Sequence, residues 1–442
     1  MKSKGTILSL LVILTLVAVV VVTGCAPAAP SGPNTGPIVI GYVGTAAGPG
    51  TKPCIDAQQM AVEEINAAGG ILGRPLKYVV EDNKGETSLA VAGVQRMVMG
   101  SKAVMYSVEG RTEISMVTKQ KSIDLYKDFP HMMISNGASG VEVTQSVLTN
   151  YDKEKMIFRM FNPEPGHGFA PKKWALLYEN LAWTLLFRNG WNIPDAPVLP
   201  TWDQMAKDNW GIDIVYSKPI AARTGMYLPI LDAISKSGAD MIYCVSSWFT
   251  DTEVLTKQWA DSPAKDIQLY LYGGVAQTHD FWQMTGGKAN GVLTASYETP
   301  ITDVNMAFVK KANARGIPVQ MHVACAYDDV YLFKAAVEKA GGTADMDKLI
   351  AAFETTTLKG GVLGDERVEM TKVPGFFHSR VCADPANPTK LIPGAMGIGM
   401  AQYQLNGEMV PMYPEKYAQP DKYQTPAALR AAAAAAPAPA AK

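Results

Sequence analysis

A unit of strand, loop, helix and strand near the N-terminus, spanning residues 38–82, constrains the fold more than any other feature of the chain. The run IVIGYVG is apolar and rich in β-branched residues, as are strands buried on both faces of a parallel sheet. The loop Thr45–Gly50 ends this strand, a helix is predicted from about Ile55 to Ala68, and Leu76–Val80 begins the next strand. Because so short a crossover joins parallel strands in the right-handed sense, we expect a βαβ unit.

The same alternation continues along most of the chain. Further apolar runs predict strands at Ala103–Tyr106, His131–Ile134, Lys173–Tyr178, Met241–Val245 and Ile267–Tyr272. Helical patterns separate these runs. Alternating strands and helices of this length predict an α/β fold with two doubly wound parallel-sheet lobes.

The amino-acid sequence of the first unit indicates a family more specifically than its order of strands and helix does. The stretch AVEEINAAGGILGRPLKYVVEDN resembles the first βαβ unit of the type I periplasmic binding proteins, in the Leu/Ile/Val-binding branch that also takes amides. Two later segments, Ser237–Asp240 and Ala326–Tyr331, resemble the GPDV and GYDAVYLL segments of that family. The resemblance extends over residues 37–415. It implies a Venus-flytrap receptor whose two lobes are joined by a multi-crossing hinge.

The resemblance also implies a division of the chain. The expected segments are a first lobe at 38–160, a second lobe at 161–297, a return to the first lobe at 298–360, a second-lobe and hinge return at 361–415, and an Ala/Pro-rich tail at 416–442. Within it, the alanine-rich stretch Ala427–Lys442 is expected to be disordered or a frayed helix. The segment Arg188–Asn209 departs from the family by lengthening the usual link between helix and strand.

The first 25 residues have the pattern of an export signal. Lys2 and Lys4 precede the apolar run Ile7–Val22, and small residues lead to Cys25. Residues 1–24 resemble a bacterial lipoprotein signal peptide, which implies acylation of Cys25 and a tether at 25–37. The alternative is a transmembrane helix, but no basic stop-transfer cluster follows. We expect an extracytoplasmic protein held by lipid to a bacterial membrane, either in the periplasm or at the cell surface.

Charge and cysteine content exclude several classes of function. Without the two lysines of the leader, 38 basic residues face 41 acidic ones, which argues against a nucleic-acid partner. The sequence does not determine whether Cys54, Cys244, Cys325 and Cys382 form disulfides, although Cys244 has the setting of a buried thiol. There is no CxxC or HExxH pattern, so we expect neither a metal nor a cofactor.

The strongest candidate for a ligand loop is the segment Ser135–Gly140. In open α/β sheets, ligands bind beyond the carboxyl ends of the strands, and this loop follows such an end. Backbone N–H groups of Gly137, Ala138 and Ser139 could bind an anion there, next to Asn136. The loop resembles the family's SPSAT segment, which implies that it holds a ligand carboxylate. The alternative is a tight strand-to-helix turn.

A second candidate loop runs from Ser107 to Thr112. Where the amino-acid-binding relatives carry small serines, this chain has Glu109 and Arg111 after Ser107. The two charges could pair with each other at the surface. Alternatively, they could recognise a polar end of the ligand, with the Arg111 guanidinium offering a bidentate fork to a carboxylate.

Four further candidates come from other strand ends and from one helix. Trp183 and Trp248 are aromatic side chains that could form walls of a cleft, with interlobe packing as the alternative for both. Gly274 precedes Val275-Ala276-Gln277, where the relatives often carry an acid for the ligand ammonium. Tyr327 begins a helix that faces the cleft in the family, although a place in the core is an equal alternative.

Three classes of function are compatible with these features to different degrees. The favoured one is the substrate-binding lipoprotein of an ABC importer, with a permease and an ATPase as partners and an amino acid, amide, aromatic acid or short peptide as ligand. A ligand-sensing module that signals to a membrane partner is the alternative. An enzyme is not expected, because none of the five histidines accompanies a G-x-S-x-G or comparable nucleophile setting.

Overall fold

The computed structural model describes residues 36–138, 140, 142–160, 172–179, 204, 206–208, 211–248, 250–278, 280–368, 370, 377–380, 383–384, 387–391 and 399–435. The strands are β1 (Ile38–Gly44), β2 (Leu76–Asp82), β3 (Met105–Val108), β4 (Met132–Asn136), β5 (Ile157–Met160), β6 (Lys173–Glu179), β7 (Asp213–Ile220), β8 (Met241–Val245), β9 (Gln268–Tyr272), β10 (Leu293–Ser296), β11 (Thr357–Gly361), β12 (Gly364–Arg367), β13 (Ser379–Arg380), β14 (Ala383–Asp384), β15 (Asn387–Leu391), β16 (Gly399–Tyr403) and β17 (Met409–Tyr413). The helices are α1 (Lys52–Ala67), α2 (Thr87–Gln95), α3 (Thr112–Tyr126), α4 (Glu142–Gln145), α5 (Tyr151–Glu154), α6 (Leu228–Ser235), α7 (Thr252–Ala260), α8 (Phe281–Met284), α9 (Asn305–Ala314), α10 (Met321–Ala340), α11 (Met346–Glu354) and α12 (Pro426–Ala435).

The first sheet has six parallel strands in the spatial order β13–β5–β4–β3–β1–β2. Next to one edge of the sheet, β1 pairs with β2 and with β3, so that Ile40 lies between Tyr78 and Met105. The predicted βαβ unit is therefore confirmed. Helix α10 is the longest of the described helices and packs against α1 and α11, burying apolar side chains such as Val330 and Phe333.

The second sheet is parallel from β7 through β10 and antiparallel at its other side. Its spatial order is β17–β16–β10–β9–β8–β6–β7, with β16 antiparallel to β10 and β17 antiparallel to β16. The fold is thus the predicted α/β class with two sheets dominated by parallel strands. The antiparallel pair is an addition that the alternating pattern alone did not predict.

Local sequence explains where the first helix begins and ends. Helix α1 begins at Lys52, three residues earlier than expected, because a proline is tolerated in the first turn, where its missing N–H is not needed. At the other end, Gly70 has a φ of +78°, and a Cβ there would lie 2.1 Å from the carbonyl oxygen of Arg74. Only glycine fits both the backbone conformation and the close approach of the next turn.

Part of the C-terminal segment forms a helix that contacts the rest of the protein. Helix α12 lies within the expected tail, and its Leu429 is 1 % exposed. Arg430 donates from Nη1 to the carbonyl oxygen of Lys265, at 2.8 Å. Among the helices described, none has both the length and the apolar character needed to cross a membrane.

Candidate functional site

The loops that follow the strands of the two sheets meet at a pair of residues from opposite sheets. Gly50 lies in the loop after β1, and Trp248 follows β8 of the second sheet. A Cβ placed on Gly50 would lie 3.5 Å from Cγ of the Trp248 indole, which is half-buried. The carboxyl ends of parallel strands from both sheets therefore converge here, which is where ligands bind in open α/β sheets.

Glu109 lies in this region, but both oxygens of its carboxylate already accept hydrogen bonds within the protein. Oε1 accepts from Nδ2 of Asn83 at 2.8 Å and from Nη2 of Arg111 at 3.0 Å. Oε2 accepts from Oγ1 of Thr51 at 3.0 Å and from both N and Oγ1 of Thr45, at 3.2 and 3.1 Å. Glu109 is 3 % exposed and joins the loops that follow β1, β2 and β3.

The hydrogen bonds keep this carboxylate ionised. Burial acts to raise the pKa of Glu109, but the hydrogen bond from Asn83, the charge of Arg111 and the backbone N–H of Thr45 outweigh it, and the pKa is lowered. Of the two alternatives open at the sequence level, the structure has the one in which Glu109 and Arg111 pair. They do so inside the protein, not as a solvated surface pair.

Arg111 is more accessible than its partner. Its side chain is 29 % exposed, and Nη2 also donates to the carbonyl oxygen of Gly85 at 2.8 Å. Its Nη1 lies 3.6 Å from a carboxylate oxygen of Glu113, which is itself 61 % exposed. Arg111 is therefore held in place on one side and open to solvent on the other.

Ser107, in contrast, lies inside the fold. Its side chain is fully buried, and Oγ accepts a hydrogen bond of 2.7 Å from Nε2 of Gln58 on α1. Since strand residues alternate between the two faces of a sheet, its position in β3 directs the hydroxyl to the helix layer. The structure thus gives Ser107 a role in packing α1 onto the sheet.

The loop after β4 is held by backbone and side-chain contacts. The Gly137 N–H, which was expected to be free, donates to the carbonyl oxygen of Ser135 at 3.2 Å. The Nδ2 of Asn136 donates to Oδ2 of Asp329 at 3.1 Å, and Ala138 is fully buried. Ser139 lies outside the described residues.

A histidine that the sequence did not single out contacts this loop. A Cβ on Gly137, whose φ is +96°, would lie 2.0 Å from Cδ2 of His322, in the first turn of α10. Burial lowers the pKa of the His322 imidazole to about 4, against the opposing effect of its hydrogen bond to the Gly137 backbone. His322 is therefore neutral at physiological pH. No local signal in the sequence pairs two residues so far apart along the chain.

On the second sheet, glycines allow two loops to approach each other closely. Gly274 has a φ of +62°, and a Cβ there would lie 2.6 Å from the carbonyl oxygen of Ser247. One carboxylate oxygen of Glu179, at the end of β6, accepts from the Ser247 N–H of this loop at 2.7 Å and from the hydroxyl of Thr250. Trp183 lies outside the described residues.

Tyr327 lies on helix α10 and contacts α1. Its hydroxyl donates to a carboxylate oxygen of Glu64 at 2.6 Å and accepts from Nζ of Lys311 at 2.9 Å. Tyr331, one turn later, also donates to Glu64, at 2.9 Å. With an exposure of 7 %, Tyr327 has the core position that was its alternative.

The cysteines of the described residues are free, buried thiols. They are Cys54, Cys244 and Cys325, and burial raises the pKa of each well above its ordinary value. Cys25 and Cys382 lie outside the described residues. Within the described ranges, no group of three or more histidine, cysteine, aspartate or glutamate side chains is arranged to hold a metal ion.

Comparison with known proteins gives consistent matches. A family model described as periplasmic binding protein matches residues 37–372. A Leu/Ile/Val-binding protein homolog from Brucella melitensis is 23% identical over 297 residues, which are 65% of this chain and 74% of that protein.

Solved structures extend the comparison to the fold. An ABC transporter substrate-binding protein from Sphaerobacter thermophilus superposes with a TM-score of 0.65 at 15% identity, covering 86% of this chain and 97% of that one. A solute-binding protein of an ABC transporter from R. palustris, in complex with 4-hydroxybenzoate, has a TM-score of 0.61 at 19% identity, covering 84% of this chain and 94% of that one.

Proposed function

The chain belongs to the periplasmic binding protein family, and from this premise we propose that it binds a small carboxylate-bearing solute and delivers it to the permease of an ABC importer. Proteins of this family are extracytoplasmic binding proteins and not enzymes. The observation that carries the proposal is the convergence of Gly50 and Trp248 from opposite sheets. A solute bound there contacts loops from both sheets. It therefore stabilises the closed conformation, in which these loops are close together.

The relatives support a carboxylate as the common feature of the ligand. One relative is named for leucine, isoleucine and valine, and one solved neighbour contains 4-hydroxybenzoate. All of these compounds carry a carboxylate. In this chain, Arg111 offers a cation with one side open, and the predicted loop at Asn136–Ser139 remains our candidate for the other contacts.

The state of the acidic side chains favours an aromatic acid over an amino acid. A bound amino acid needs an acceptor for its ammonium group, and buried charges require partners. Glu109 accepts from five donor groups, and Glu179 accepts from the Ser247 N–H and the Thr250 hydroxyl. Trp248 offers an apolar face for a ring, and Trp183 is retained as a second predicted wall.

We further propose that the protein is anchored by lipid on Cys25 and works with a permease and an ATPase. The basic and apolar leader followed by small residues before Cys25 supports acylation at that residue. The test is Cys25→Ala: we expect the variant to be released into the extracytoplasmic soluble fraction, while the parent sediments with membranes. Equal sedimentation of both would contradict acylation at Cys25.

A thermal-shift and calorimetry screen tests the proposed ligand class. The purified protein is titrated with 4-hydroxybenzoate, benzoate, leucine and acetamide, and a bound solute raises the melting temperature by mass action. We expect the aromatic acids to raise it most. A response to acetamide without a response to any acid would overturn the carboxylate proposal, and a response to leucine alone would overturn the preference for aromatic acids.

A further inference from the structure

The beginning of helix α10 carries polar groups without partners. Gln320 is the N-cap residue, in an extended conformation, and its side chain makes no capping hydrogen bond. Gln320 is 1 % exposed, yet both Oε1 and Nε2 are buried and have no hydrogen-bond partner within the described part of the chain. Burying an amide without partners costs about 1–3 kcal/mol, so such a group is expected to have a ligand.

The backbone at the same helix end is also unsatisfied. The N–H groups of Met321 and His322 have no acceptor among the described residues. These are the donors that a helix leaves free in its first turn, and the helix dipole makes that end electropositive. Together with Gln320, they form a group with two kinds of donor and one acceptor.

Neighbouring elements bring further unpartnered atoms to this region. His322 contacts Gly137, and the residue before it, Asn136, has a buried Oδ1 without a partner. The Val319 N–H donates to Oε1 of Glu298 at 3.3 Å, and the residue after Glu298, Thr299, has a buried Oγ1 without a partner. Asn136 and Thr299, each with an unpartnered polar atom, are therefore next in the chain to residues that contact the start of α10 or the residue just before it.

We propose that the α10 N-terminus, with Gln320 as the specificity-determining side chain, binds an uncharged group of the ligand that both donates and accepts hydrogen bonds. This inference rests on the proposed function and adds that the carboxylate-bearing solute carries a hydroxyl or carboxamide as well. A hydroxyl donates to Oε1 of Gln320 and accepts from Nε2 or from the N–H groups of the first turn. An ammonium group has no acceptor oxygen to offer these donors.

The test compares two acids that differ only in a hydroxyl. Dissociation constants of benzoate and 4-hydroxybenzoate are measured by calorimetry for the parent protein and for Gln320→Met, which keeps the length of the side chain. Sites built to bind a hydroxyl discriminate strongly against the analogue without it, so we expect the parent to prefer 4-hydroxybenzoate by at least about tenfold. In Gln320→Met, this preference should fall toward unity. Its ligand-free melting temperature should not decrease, since no hydrogen bond is lost.

A buried glutamine elsewhere in the fold provides the control. Gln268, 4 % exposed, donates from Nε2 to the carbonyl oxygens of Leu269 and Gly291, at 2.8 and 2.7 Å, and accepts from Tyr423 at 3.0 Å. Gln268→Met should therefore lower the melting temperature and leave the ratio of dissociation constants unchanged.

The outcomes separate the two proposals. Equal affinity of the parent for both acids, or a preference that persists in Gln320→Met, overturns the role of Gln320 and leaves the carboxylate function standing. Failure of the parent to bind either acid, while it binds acetamide, overturns the carboxylate function and this inference with it.

Discussion

Gly50 and Trp248 lie against each other although they come from different sheets, with 3.5 Å between Cγ of the indole and the position of a Cβ on Gly50. This is an ordinary contact distance, so a methyl group would fit at Gly50. The pair therefore defines how closely the two sets of loops approach. Any solute bound beside it is in contact with an aromatic surface.

The first prediction concerns Trp248. We expect Trp248→Ala to weaken binding of the cognate solute by about tenfold or more, because a buried aromatic contact contributes on the order of 1–2 kcal/mol. The melting temperature without ligand should change little, since the side chain is only half-buried. Calorimetry and thermal unfolding measure the two effects. Unchanged affinity would remove Trp248 from the proposed site.

The second prediction concerns the carboxylate of Glu109. The Glu109 carboxylate accepts five hydrogen bonds, and in Glu109→Gln one of its oxygens becomes an NH2 group that faces donors of the protein. The substitution also leaves Arg111 without its buried, negatively charged partner. We expect a loss of about 2–4 kcal/mol in the free energy of unfolding, measured by urea denaturation. The matched control is Glu113→Gln, which removes an exposed partner of the same arginine and should cost less than about 1 kcal/mol. Equal effects of the two substitutions would refute the role of Glu109 as the centre of the loops.

The third prediction separates backbone strain from a side-chain collision. Gly137 and Gly69 have similar φ values of +96° and +99°, but a Cβ on Gly69 has open space around it, while one on Gly137 collides with His322. Both alanine variants should lose stability through strain, by about 1 kcal/mol. Only Gly137→Ala should also displace His322 and weaken solute binding. If both bind equally well, then the contact between Gly137 and His322 has no part in the site.

The fourth prediction concerns a buried acidic cluster beside the loop after β4. Asp328, Asp329 and Glu366 lie around Arg380, and all four residues are at most 2 % exposed. Arg380 donates from Nη2 to Oδ1 of Asp329 at 3.1 Å. Burial raises the pKa of Asp329 to about 7 and that of Asp328 to about 6. The positive charge of Arg380 opposes this rise at both carboxyls.

The sign of the resulting pH dependence follows from these pKa values. The folded protein holds protons on these carboxyls more tightly than the unfolded chain does. The contribution of this proton binding to the free energy of unfolding is therefore complete below about pH 4 and is lost as the pH rises through 6 and 7. Asp329→Asn should flatten this part of the profile by on the order of 1 kcal/mol between pH 5 and pH 7.5. Urea denaturation at the two pH values measures it, with the exposed Asp261→Asn as the control. A profile as steep as that of the parent would show that Asp329 does not titrate in this range.

Two buried histidines act in the opposite direction and must be included in any fit of the profile. Burial lowers the pKa of His131 and of His322 to about 4. The two neutral imidazoles contribute fully to the free energy of unfolding above about pH 6.5. This contribution is lost as the pH falls toward 4, because the unfolded chain then binds protons that the folded protein excludes. The stability of the parent between these values is therefore the balance of two opposed titrations.

The fold was predictable from the sequence because its signals are local. The apolar runs of β1 and β2 and the glycines between them lie within one short segment, and no long-range information is needed to recognise the βαβ unit. The antiparallel strands β16 and β17 were not predicted, because nothing in a short apolar strand specifies the direction of its neighbour.

The site was less predictable because its contacts are long-range. The sequence placed Glu109 at a strand end correctly but could not reveal that Thr45, Thr51 and Asn83 would occupy its oxygens. Tyr327 lies on a helix that is buried around most of its circumference, so the face that meets Glu64 cannot be distinguished from the face toward the ligand loops. The contact between Gly137 and His322 depends on how that helix docks.

The three buried thiols have a consequence for how the protein matures. An extracytoplasmic compartment is oxidising, yet Cys54, Cys244 and Cys325 are inaccessible, and burial keeps them protonated, the form that does not attack disulfides. They are therefore vulnerable only between export and completion of the core. Productive maturation is a competition between folding and oxidation, and a variant that folds slowly is at risk of being trapped by its own cysteines before it can bind anything.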